Sequence, residues 1–360
     1  MPSDSEYMQR ALALAAKGLG RTSPNPMVGC VVVAGQEIVG EGFHEYAGGP
    51  HAEVNAFRDI PAERRKGLTV YVTLEPCAHH GKTPPCLDFL LREDLARVVV
   101  AMEDPNPLTR GRSIARLREA GVSVDVGCCE AEARRLNEVF IKYITTGRPF
   151  VIVKCGMTLD GKIASRTGHS RWITCEAART RVHEIRSQVD GILVGSRTVM
   201  LDDPSLTCRL VNGFAKDPTR IILDAGEYLD SKRRIFQLNS EAPTWVAVSA
   251  DHDYPEADDV IRLPKGNGGI DMAVLMDELG KRGITSLLIE GGGTTHASAF
   301  KAGIVDKVMF FVAPKILGGR DAVSPVEGEG FATIDEAIQL DHMTATPVGQ
   351  DLLIEAYVRP

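Results

Sequence analysis

The sequence of 360 residues has no apolar run of membrane-spanning length, no basic excess, no internal repeat and no low-complexity tract. A membrane-spanning helix needs about 20 apolar residues, whereas Val28–Ala34, one of the longest runs here, has the length of a strand. The formal net charge is −7, with 17 basic and 19 acidic residues in positions 1–147 and 24 and 29 in positions 148–360. Binding to nucleic acid depends on Lys and Arg contacts to phosphates, so we expect neither a nucleic-acid nor a membrane partner.

The composition is that of an ordinary globular protein, with 44% hydrophobic and 25% charged residues. At about 100–200 residues per domain, the length predicts two domains. The first residues show no signal-peptide pattern, because Ser3 and Glu6 have the spacing of a helix capping box and Lys17 closes the apolar run. We therefore expect a cytoplasmic protein, in which the eight cysteines are reduced and serve as ligands, nucleophiles or small core residues.

Strand-like and helix-like patterns alternate along the whole chain, which predicts α/β sheets covered by helices. In the first part we predict strands at 28–33, 68–74, 97–102 and 122–126 and helices at 52–59, 87–95, 113–120 and 130–144. The segment Thr145–Pro149 contains Gly147 and a proline, which stop a helix. We place the domain boundary there, giving domains 1–147 and 148–360, and we expect positions 249–270 to be a loop around one short strand.

Three short motifs in the first domain contain metal-ligand side chains: His51-Ala52-Glu53, Pro76-Cys77 and Pro85-Cys86. One imidazole and two thiolates suit Zn²⁺ and leave a fourth position for water, whose pKa the metal lowers. Glu53 lies two residues beyond His51, so it stands beside the metal as a general acid and base. The same H-x-E and P-C order is found in zinc nucleobase deaminases. The alternatives are a structural zinc site, or two core cysteines and an unrelated histidine. A structural site normally has four protein ligands in paired C-x₂₋₄-C units.

Two longer strings are more specific: Ser23–Cys30 (SPNPMVGC) and Glu75–Cys86 (EPCAHHGKTPPC). Both resemble the deaminase half of the bifunctional deaminase–reductase family of riboflavin biosynthesis, including its long spacing between the two cysteines. The resemblance implies a cytidine-deaminase-like three-layer α/β/α domain. It also implies deamination of a 2,5-diamino-6-ribosylamino-4(3H)-pyrimidinone 5′-phosphate. Asn25 would then contact the heterocycle, and His44 and Lys82 would hold the phosphate.

The second domain has a glycine-rich turn after an apolar run, Glu290-Gly291-Gly292-Gly293-Thr294-Thr295, where a helix start could hold an anion. With Gly156–Lys162, Ser170–Thr174 and Gly195–Arg209, it resembles the reductase half of the same family, which has a dihydrofolate-reductase-like α/β fold and uses NADPH. By this resemblance, the residues in contact with the dinucleotide would be Gly156, Trp172, Thr198, Asp202, Gly292, Gly293, Thr294, Thr295, His296, Ala297 and Ser298. Those around the substrate would be Ser170, Arg186, Leu206, Arg209 and Glu290.

The implied second reaction is hydride transfer from NADPH to C1′ of the ribosylamino group in its ring-opened imine form, which converts ribose to ribitol. Lys154 and Asp202 would supply a cation and an acid near the opened sugar. Simpler interpretations stay open: Lys154 as a strand-end surface lysine, Trp172 as a core residue and Arg186 as a helix-surface charge.

The chain departs from the family at two points in this domain. Residues 225–228 (AGEY) stand where the family often has an arginine, which leaves the group that holds the NADPH 2′-phosphate open. His296 stands where an apolar residue is more usual.

One alternative for the whole chain is a zinc deaminase of another nucleobase or of tRNA with a non-catalytic C-terminal binding domain. A zinc-stabilised scaffold without activity is a third possibility, but it would leave Glu53 without a role. The family resemblance favours the bifunctional enzyme, and by analogy with that family we expect a homo-oligomer, a dimer or a tetramer.

Overall fold

A computed structural model of the chain divides into two compact units, Met1–Gly147 and Arg148–Pro360. It describes residues 2–78, 84–107, 109–210, 215–226, 229–249, 252–266 and 269–359. Over these ranges, none of the helices combines the length and the apolar character needed to cross a membrane.

The first unit contains one five-stranded sheet with the strand order β2-β1-β3-β4-β5. Strand β1 is antiparallel to β2 and β3, whereas β3, β4 and β5 are parallel to one another. The strands are β1 (Gly29–Ala34), β2 (Glu37–Phe43), β3 (Leu68–Val72), β4 (Leu95–Val100) and β5 (Ser123–Val126). The helices are α1 (Asp4–Ala15), α2 (Ala52–Phe57), α3 (Cys86–Leu90), α4 (Arg112–Glu119), α5 (Glu130–Leu136) and α6 (Glu138–Thr146).

Both faces of this sheet are buried, because helices cover each of them. Successive strand residues point to opposite sides, so each strand contributes side chains to both cores. Cys30 and Val32 of β1 belong to a core that includes Phe57 of α2 and Leu117 of α4. Val31 of the same strand belongs to a second core on the other face, which α1, α5 and α6 cover. The predicted three-layer α/β/α architecture is confirmed.

Helix α1 begins with the predicted capping box. The Ser3 hydroxyl accepts a hydrogen bond from the Glu6 N–H at 3.3 Å, and the Glu6 carboxylate accepts one from the Ser3 N–H at 2.6 Å. The helix packs closely on β1 at Gly29, where an added Cβ would lie 2.0 Å from the carbonyl oxygen of Ala11. Only glycine permits this approach.

Three elements of the first unit differ from the sequence prediction. The helix predicted at 87–95 ends at Leu90, because the chain turns there and enters β4 at Leu95. Strand β2 was not predicted, because Gly40 and Gly42 interrupt its apolar pattern; these glycines lie against α2, where a Cβ would clash with the backbone of Ala56. The helix predicted at 130–144 is two helices that meet at Asn137. The Asn137 side chain is buried and pairs with both the N–H and the carbonyl of Met27, at 2.8 and 2.9 Å. This tertiary contact explains why the helix breaks there.

The second unit is built on a nine-stranded sheet with the order β10-β9-β8-β7-β13-β6-β14-β16-β15. The first seven strands in that order are parallel, and β16 and β15 form an antiparallel hairpin at one edge. The strands are β6 (Phe150–Thr158), β7 (Gly191–Gly195), β8 (Thr219–Asp224), β9 (Thr244–Val248), β10 (Asp259–Arg262), β13 (Ser286–Ile289), β14 (Lys307–Ala313), β15 (Leu340–Val348) and β16 (Asp351–Val358). A separate two-residue ladder joins β11 (Lys265–Gly266) to β12 (Gly269–Ile270).

Helices cover both faces of this sheet as well. One core joins Val151 and Ile289 to α9 (Met272–Lys281) and α10 (Gly293–Lys301). The other joins Val194 and Leu288 to α7 (Glu176–Gln188) and α8 (Ser196–Asp202). In open parallel sheets, ligands bind beyond the carboxyl ends of the strands. The ends of β6, β7, β8 and β13 are therefore where a site is expected.

Between β9 and α9, the expected loop contains the predicted strand, β10. It also contains the β11–β12 ladder, which the sequence analysis missed. Two-residue strands are too short to produce an alternating pattern, so no periodicity could have indicated them.

Candidate functional sites

Three side chains converge in the first unit. His51 is the residue that precedes α2, Cys86 is the first residue of α3, and Cys77 lies in the connection after β3. The Nδ1 atom of His51 lies 3.0 Å from Sγ of Cys86 and 3.5 Å from Sγ of Cys77. All three ligand atoms lie within 4.8 Å of one another, and this trio is the group of possible metal ligands found among the described residues.

The donor set fits zinc. In a tetrahedral site with Zn–S of about 2.3 Å and Zn–N of about 2.0 Å, neighbouring ligand atoms lie roughly 3.5–3.8 Å apart. The two distances from His51 Nδ1 are within about 0.5 Å of that range. Hydrogen bonds from the Cys86 thiol and backbone and from His51 lower the pKa of Cys77, which favours the thiolate that a metal binds.

Glu53 is 3% exposed beside this group, in the first turn of α2. Burial, together with the negative charge of the Cys77 thiolate, raises the pKa of its carboxyl group. A carboxyl group with a raised pKa exchanges protons more readily near neutral pH, as general acid–base catalysis requires.

Glu75 is a residue of this site whose role the sequence analysis missed. Its buried carboxylate accepts hydrogen bonds from the N–H groups of Asp104, Gly111 and Ser113 at 2.8–3.1 Å. The hydroxyl of Ser113 in turn donates to the carbonyl of Pro76. Glu75 and Ser113 thus link the start of α4 by hydrogen bonds to the backbone next to Cys77. The partners come from three different positions beyond β4, so no local motif could have indicated them.

The two predicted substrate residues Asn25 and His44 contact each other. The amide nitrogen of Asn25 lies 3.2 Å from Nε2 of His44, and Nδ1 of His44 lies 3.0 Å from the carbonyl of Pro50. A carbonyl only accepts, so His44 donates from Nδ1 and accepts from Asn25 at Nε2. Burial and the adjacent His51 lower the pKa of His44, which keeps this imidazole neutral. The third, Lys82, lies outside the described residues.

In the second unit, a buried cluster of charges stands at the carboxyl end of the sheet. The carboxylate of Glu290 accepts hydrogen bonds from Nε and Nη2 of Arg186, at 2.7 and 2.9 Å, and pairs with Nζ of Lys154 at 2.8 Å. The three side chains are 6%, 12% and 14% exposed. Burial alone would raise the pKa of Glu290, but the two cations hold it well below its ordinary value. The simpler interpretations of Lys154 and Arg186 as surface charges are wrong.

The Lys154–Glu290–Arg186 cluster lines a cavity of about 360 Å³. We call it the smaller cavity, because a second one is larger. Gly156, Ser170 and Arg209 also line it. Trp172 lines it too and is 62% exposed, so it is not a core residue. The guanidinium of Arg179 stacks 4.5 Å from the centre of the Trp172 ring. Arg171, Arg179 and His183 line the same cavity, and the sequence analysis assigned them no role. Arg171 lies within the Ser170–Thr174 motif, whereas only the fold brings Arg179 and His183 to the cavity.

A second cavity of about 1100 Å³, the larger cavity, runs along the start of α10. Its lining includes Thr198, Asp202 and the turn residues Gly292, Gly293, Thr294, Thr295 and Ser298. The first N–H groups of a helix have no acceptor within it, so this turn presents donors to an anion. Ile163, Ser170, Thr198, Asp202 and Gly292 line both cavities.

Three residues assigned by resemblance do not line either cavity. His296 is 1% exposed, and its Nδ1 lies 2.7 Å from the carbonyl of Pro325. Ala297, on the same helix, is also absent from both linings. Leu206 is 4% exposed and packs in the core with Ile185 and Val199. His296 and Ala297 do not line a cavity because a helix turns only part of its surface to a groove, which a linear motif does not resolve. Leu206 lies in the connection after α8, and its apolar side chain is buried in the core.

Two family models match the chain. The cytidine and deoxycytidylate deaminase zinc-binding region matches residues 1–102, and the RibD C-terminal domain matches residues 149–354. A riboflavin biosynthesis protein RibD of Actinobacillus pleuropneumoniae is 44% identical over 362 residues, covering 99% of this chain and 96% of that protein. The chain belongs to the RibD family.

Solved structures agree with the RibD assignment. Acinetobacter baumannii RibD superimposes with a TM-score of 0.89 at 36% identity, covering 99% of each chain. A Thermotoga maritima diaminohydroxyphosphoribosylaminopyrimidine deaminase/5-amino-6-(5-phosphoribosylamino)uracil reductase gives 0.88 at 36% identity, again covering 99% of each chain. The chain is therefore a bifunctional deaminase and reductase of riboflavin biosynthesis, with a zinc-binding deaminase domain and a reductase domain.

Proposed function

We propose that unit 1 deaminates 2,5-diamino-6-ribosylamino-4(3H)-pyrimidinone 5′-phosphate and that unit 2 then reduces the ribosyl side chain to ribityl with NADPH. The observation that carries the proposal is the convergence of His51, Cys77 and Cys86 beside the buried carboxyl group of Glu53. The second reaction is supported by the buried cluster at Glu290 and the glycine-rich turn that line the two cavities of the same chain.

For the deamination, His51, Cys77 and Cys86 hold zinc, which supplies a water nucleophile at neutral pH. Glu53 takes a proton from the attacking water as its oxygen bonds to the ring carbon that carries the amino group. The same carboxyl oxygen then gives the proton to the amine nitrogen, the carbon–nitrogen bond breaks, and ammonia leaves. Burial of Glu53 suits this double role, because its raised pKa lets it both accept and release a proton.

Asn25 and Lys82 are proposed to bind the substrate of this step. Both ring nitrogens of His44 are engaged by Pro50 and Asn25, so His44 is proposed to position Asn25 rather than to hold the phosphate. The hydrogen bond from Asn25 to His44 supports this proposal, because it joins polar side chains from two separate chain segments. The buried imidazole of His44 is fixed with Nδ1 as donor, so its contact with Asn25 orients the amide oxygen of Asn25 for a heterocycle.

For the reduction, bound NADPH supplies the hydride, and the protein positions the opened sugar and stabilises its charge. Lys154 is proposed to donate a hydrogen bond to the sugar oxygen and Asp202 to deliver a proton to it. Glu290 holds Lys154 in place and faces the smaller cavity, while Arg209 and Ser170 bind the substrate from the same cavity. Thr198 and the turn residues Gly292, Gly293, Thr294, Thr295 and Ser298 bind the dinucleotide phosphates in the larger cavity.

We propose that the protein acts in the cytoplasm and that it is a homo-oligomer, a dimer or a tetramer. Nucleic acid is not among the proposed partners, because both units have an acidic balance.

The deaminase half is tested with Glu53→Gln, which preserves the size of the side chain but removes its proton exchange. We expect zinc content to stay at that of the wild type, because Glu53 is not one of the three ligands. Ammonia release should fall by at least about 100-fold, the usual contribution of general acid–base catalysis. Glu63→Gln, at an exposed glutamate of the same unit, is the matched control. Full ammonia release by Glu53→Gln would refute the mechanism.

The reductase half is tested separately with the deaminated pyrimidine. We expect NADPH oxidation, followed at 340 nm, to need this substrate and to continue in Glu53→Gln. If wild-type protein neither oxidises NADPH nor binds it in calorimetry, the proposed second reaction is wrong.

A further inference from the structure

Trp172 lines the smaller cavity, but core packing does not hold its ring in place. The residue is 62% exposed, and among the described residues it belongs to neither core of the second unit. It lies in the segment 170–175, which forms no helix or strand and leads into α7. Exposed side chains change rotamer within picoseconds to nanoseconds. A fixed position for this ring therefore requires specific contacts.

Arg179, the fourth residue of α7, provides the first of these contacts. Its guanidinium carbon lies 4.5 Å from the centre of the Trp172 ring, within the range in which a cation is attracted to an aromatic face. The Nη1 group of the same side chain donates a hydrogen bond to the carbonyl of Thr174 at 2.7 Å. A planar guanidinium can stack and donate at the same time. Arg179 thus restrains both the indole and the backbone that follows it.

Lys315, the second residue after β14, provides the second contact. Its Nζ donates hydrogen bonds to the carbonyls of Trp172 and Ile173, at 2.8 and 2.6 Å. Hydrogen bonds from a charged donor are stronger than neutral ones. The carbonyl of Lys315 itself accepts a hydrogen bond from the N–H of Leu159 at 2.9 Å, which ties it to the turn after β6. Two cations from separate elements thus donate to the three consecutive carbonyls at 172–174.

A third cation, Arg171, is also near the ring. Its guanidinium lies 5.9 Å from the centre of the Trp172 ring, at the outer limit of a cation–π contact, and it donates a hydrogen bond to the carbonyl of Asp202 at 2.6 Å. The closer restraints on Trp172 are therefore those from Arg179 and Lys315.

The position of the ring matters because of where the two cavities meet. In the proposed reduction, the nicotinamide ring must touch the sugar beside Lys154, and so it has to enter the smaller cavity. Ser170, Thr198 and Asp202 line both cavities, so one dinucleotide can extend from the larger cavity into the smaller one. Trp172 lines only the smaller cavity. Its flat ring is thus placed for the nicotinamide end of the dinucleotide rather than for its phosphates.

We infer that Arg179 and Lys315 are positioning residues of the reductase unit, which hold the Trp172 ring as a fixed wall for the nicotinamide end of NADPH. This inference rests on the proposed reductase function. Both cations act through Trp172 rather than on the dinucleotide. A ring that is already fixed does not have to be ordered when the ligand binds, so the ligand binds more tightly than it would to a mobile ring.

The first test measures the motion of the ring in the free full-length protein. The chain has two tryptophans, so Trp245→Phe leaves Trp172 as the only source of indole fluorescence. In this background, the time-resolved anisotropy of Trp172 should decay with the tumbling of the protein. Arg179→Met and Lys315→Met should each add a fast component, on the picosecond-to-nanosecond scale of a free side chain. Methionine keeps most of the side-chain length and removes the charge.

Arg181→Met is the matched control. Arg181 lies two residues beyond Arg179 on the same helix, pairs with Glu184 at 2.7 Å and does not line the smaller cavity. Its substitution should leave the anisotropy decay of Trp172 unchanged. Far-UV circular dichroism and the unfolding midpoint of each variant establish that a mobile ring is not the result of a loss of folding.

The second test is equilibrium binding of NADPH without substrate, followed by the fluorescence of the bound dinucleotide. Arg179→Met and Lys315→Met should each raise the Kd roughly two- to tenfold, because binding must then order a mobile side chain. In a Trp172→Leu background, the same two substitutions should change the Kd by less than about twofold, since the ring through which they act is gone. Adenosine 2′,5′-bisphosphate, which lacks the nicotinamide end, should bind to all variants as it does to wild type.

An unchanged anisotropy decay in both variants would overturn the inference. A Kd effect that persists in the Trp172→Leu background would also overturn it, because the cations would then act on the dinucleotide directly. The same holds for an equal weakening of adenosine 2′,5′-bisphosphate binding. Wild-type protein that binds no NADPH would instead refute the proposed reductase function, whereas the anisotropy of the free protein still decides whether the two cations hold the ring.

Discussion

Replacing Glu290 with glutamine removes the negative charge that stands between two buried cations. In the folded protein, the Glu290 carboxylate accepts hydrogen bonds from Arg186 and from Lys154, all at 2.7–2.9 Å. The glutamine amide keeps one acceptor oxygen and turns an NH₂ group toward these donors. Arg186 and Lys154 would then remain buried without a counter-charge.

The size of the effect follows from burial. Breaking a buried ion pair by removing one partner costs about 3–5 kcal/mol, because the remaining charge has lost its water and its partner. Asp277→Asn is a matched control: Asp277 pairs with Arg148 through two similar hydrogen bonds of 2.6 and 2.9 Å, but both side chains are more than 40% exposed. Exposed pairs contribute about 0–1 kcal/mol, so the control should lose less than that.

The measurement is urea unfolding of the reductase unit within the full chain, followed by tryptophan fluorescence, since Trp172 and Trp245 both lie in that unit. The pH dependence gives an independent check. The pKa of Glu290 is lower in the folded protein than the ordinary glutamate value of 4.5, so its contribution to stability is complete above about pH 5. It is lost as the pH falls from that value toward the folded-state pKa.

Glu290→Gln should therefore have a flatter stability profile between about pH 5 and pH 3 than the wild type. If Glu290→Gln costs no more than Asp277→Asn at pH 7, burial does not govern the energy of this cluster and the reasoning is refuted.

Two further predictions concern the first unit. Ser3→Ala removes the side-chain acceptor for the Glu6 N–H and should lower the free energy of unfolding by about 0.5–2 kcal/mol, measured in urea; Ser3→Asp, which keeps an acceptor, should restore most of it. Gly29→Ala would place a methyl group 2.0 Å from the carbonyl oxygen of Ala11, so α1 must move away from β1. We expect a loss of about 1–3 kcal/mol or more, and an unchanged urea midpoint would show that α1 does not pack on β1 as described.

Local patterns were sufficient for the elements whose stability is local. The capping box at Ser3 and Glu6 needs only residues three apart, and the strand at Val31 is buried on both faces, so its sequence is continuously apolar. The order and residue types of His51, Cys77 and Cys86 were enough to predict a metal site. One imidazole and two thiolates suit zinc, and three protein ligands leave its fourth position open.

Other features depend on distant partners. The helix breaks at Asn137 because its side chain pairs with the backbone of Met27. The role of Glu75 depends on backbone N–H groups, such as that of Ser113, which follow β4 in the chain and donate to its carboxylate. Neither residue carries a local signal of its role. Strand β2 is stabilised by its pairing with β1 and by close packing of α2. Its glycines interrupt the alternating apolar pattern by which a strand is predicted from sequence.

Local sequence patterns predict the alternation of strands and helices, the two-part organisation of the motifs, and the residue types of the zinc trio with Glu53 beside it. These follow from periodicity and from ligand chemistry, which are properties of short segments. The folded chain, in contrast, shows that Lys154, Arg186 and Glu290 form one buried cluster, and that His296 and Leu206 face the interior rather than a cavity. Burial and charge pairing depend on which segments the fold brings together, and no linear spacing specifies that.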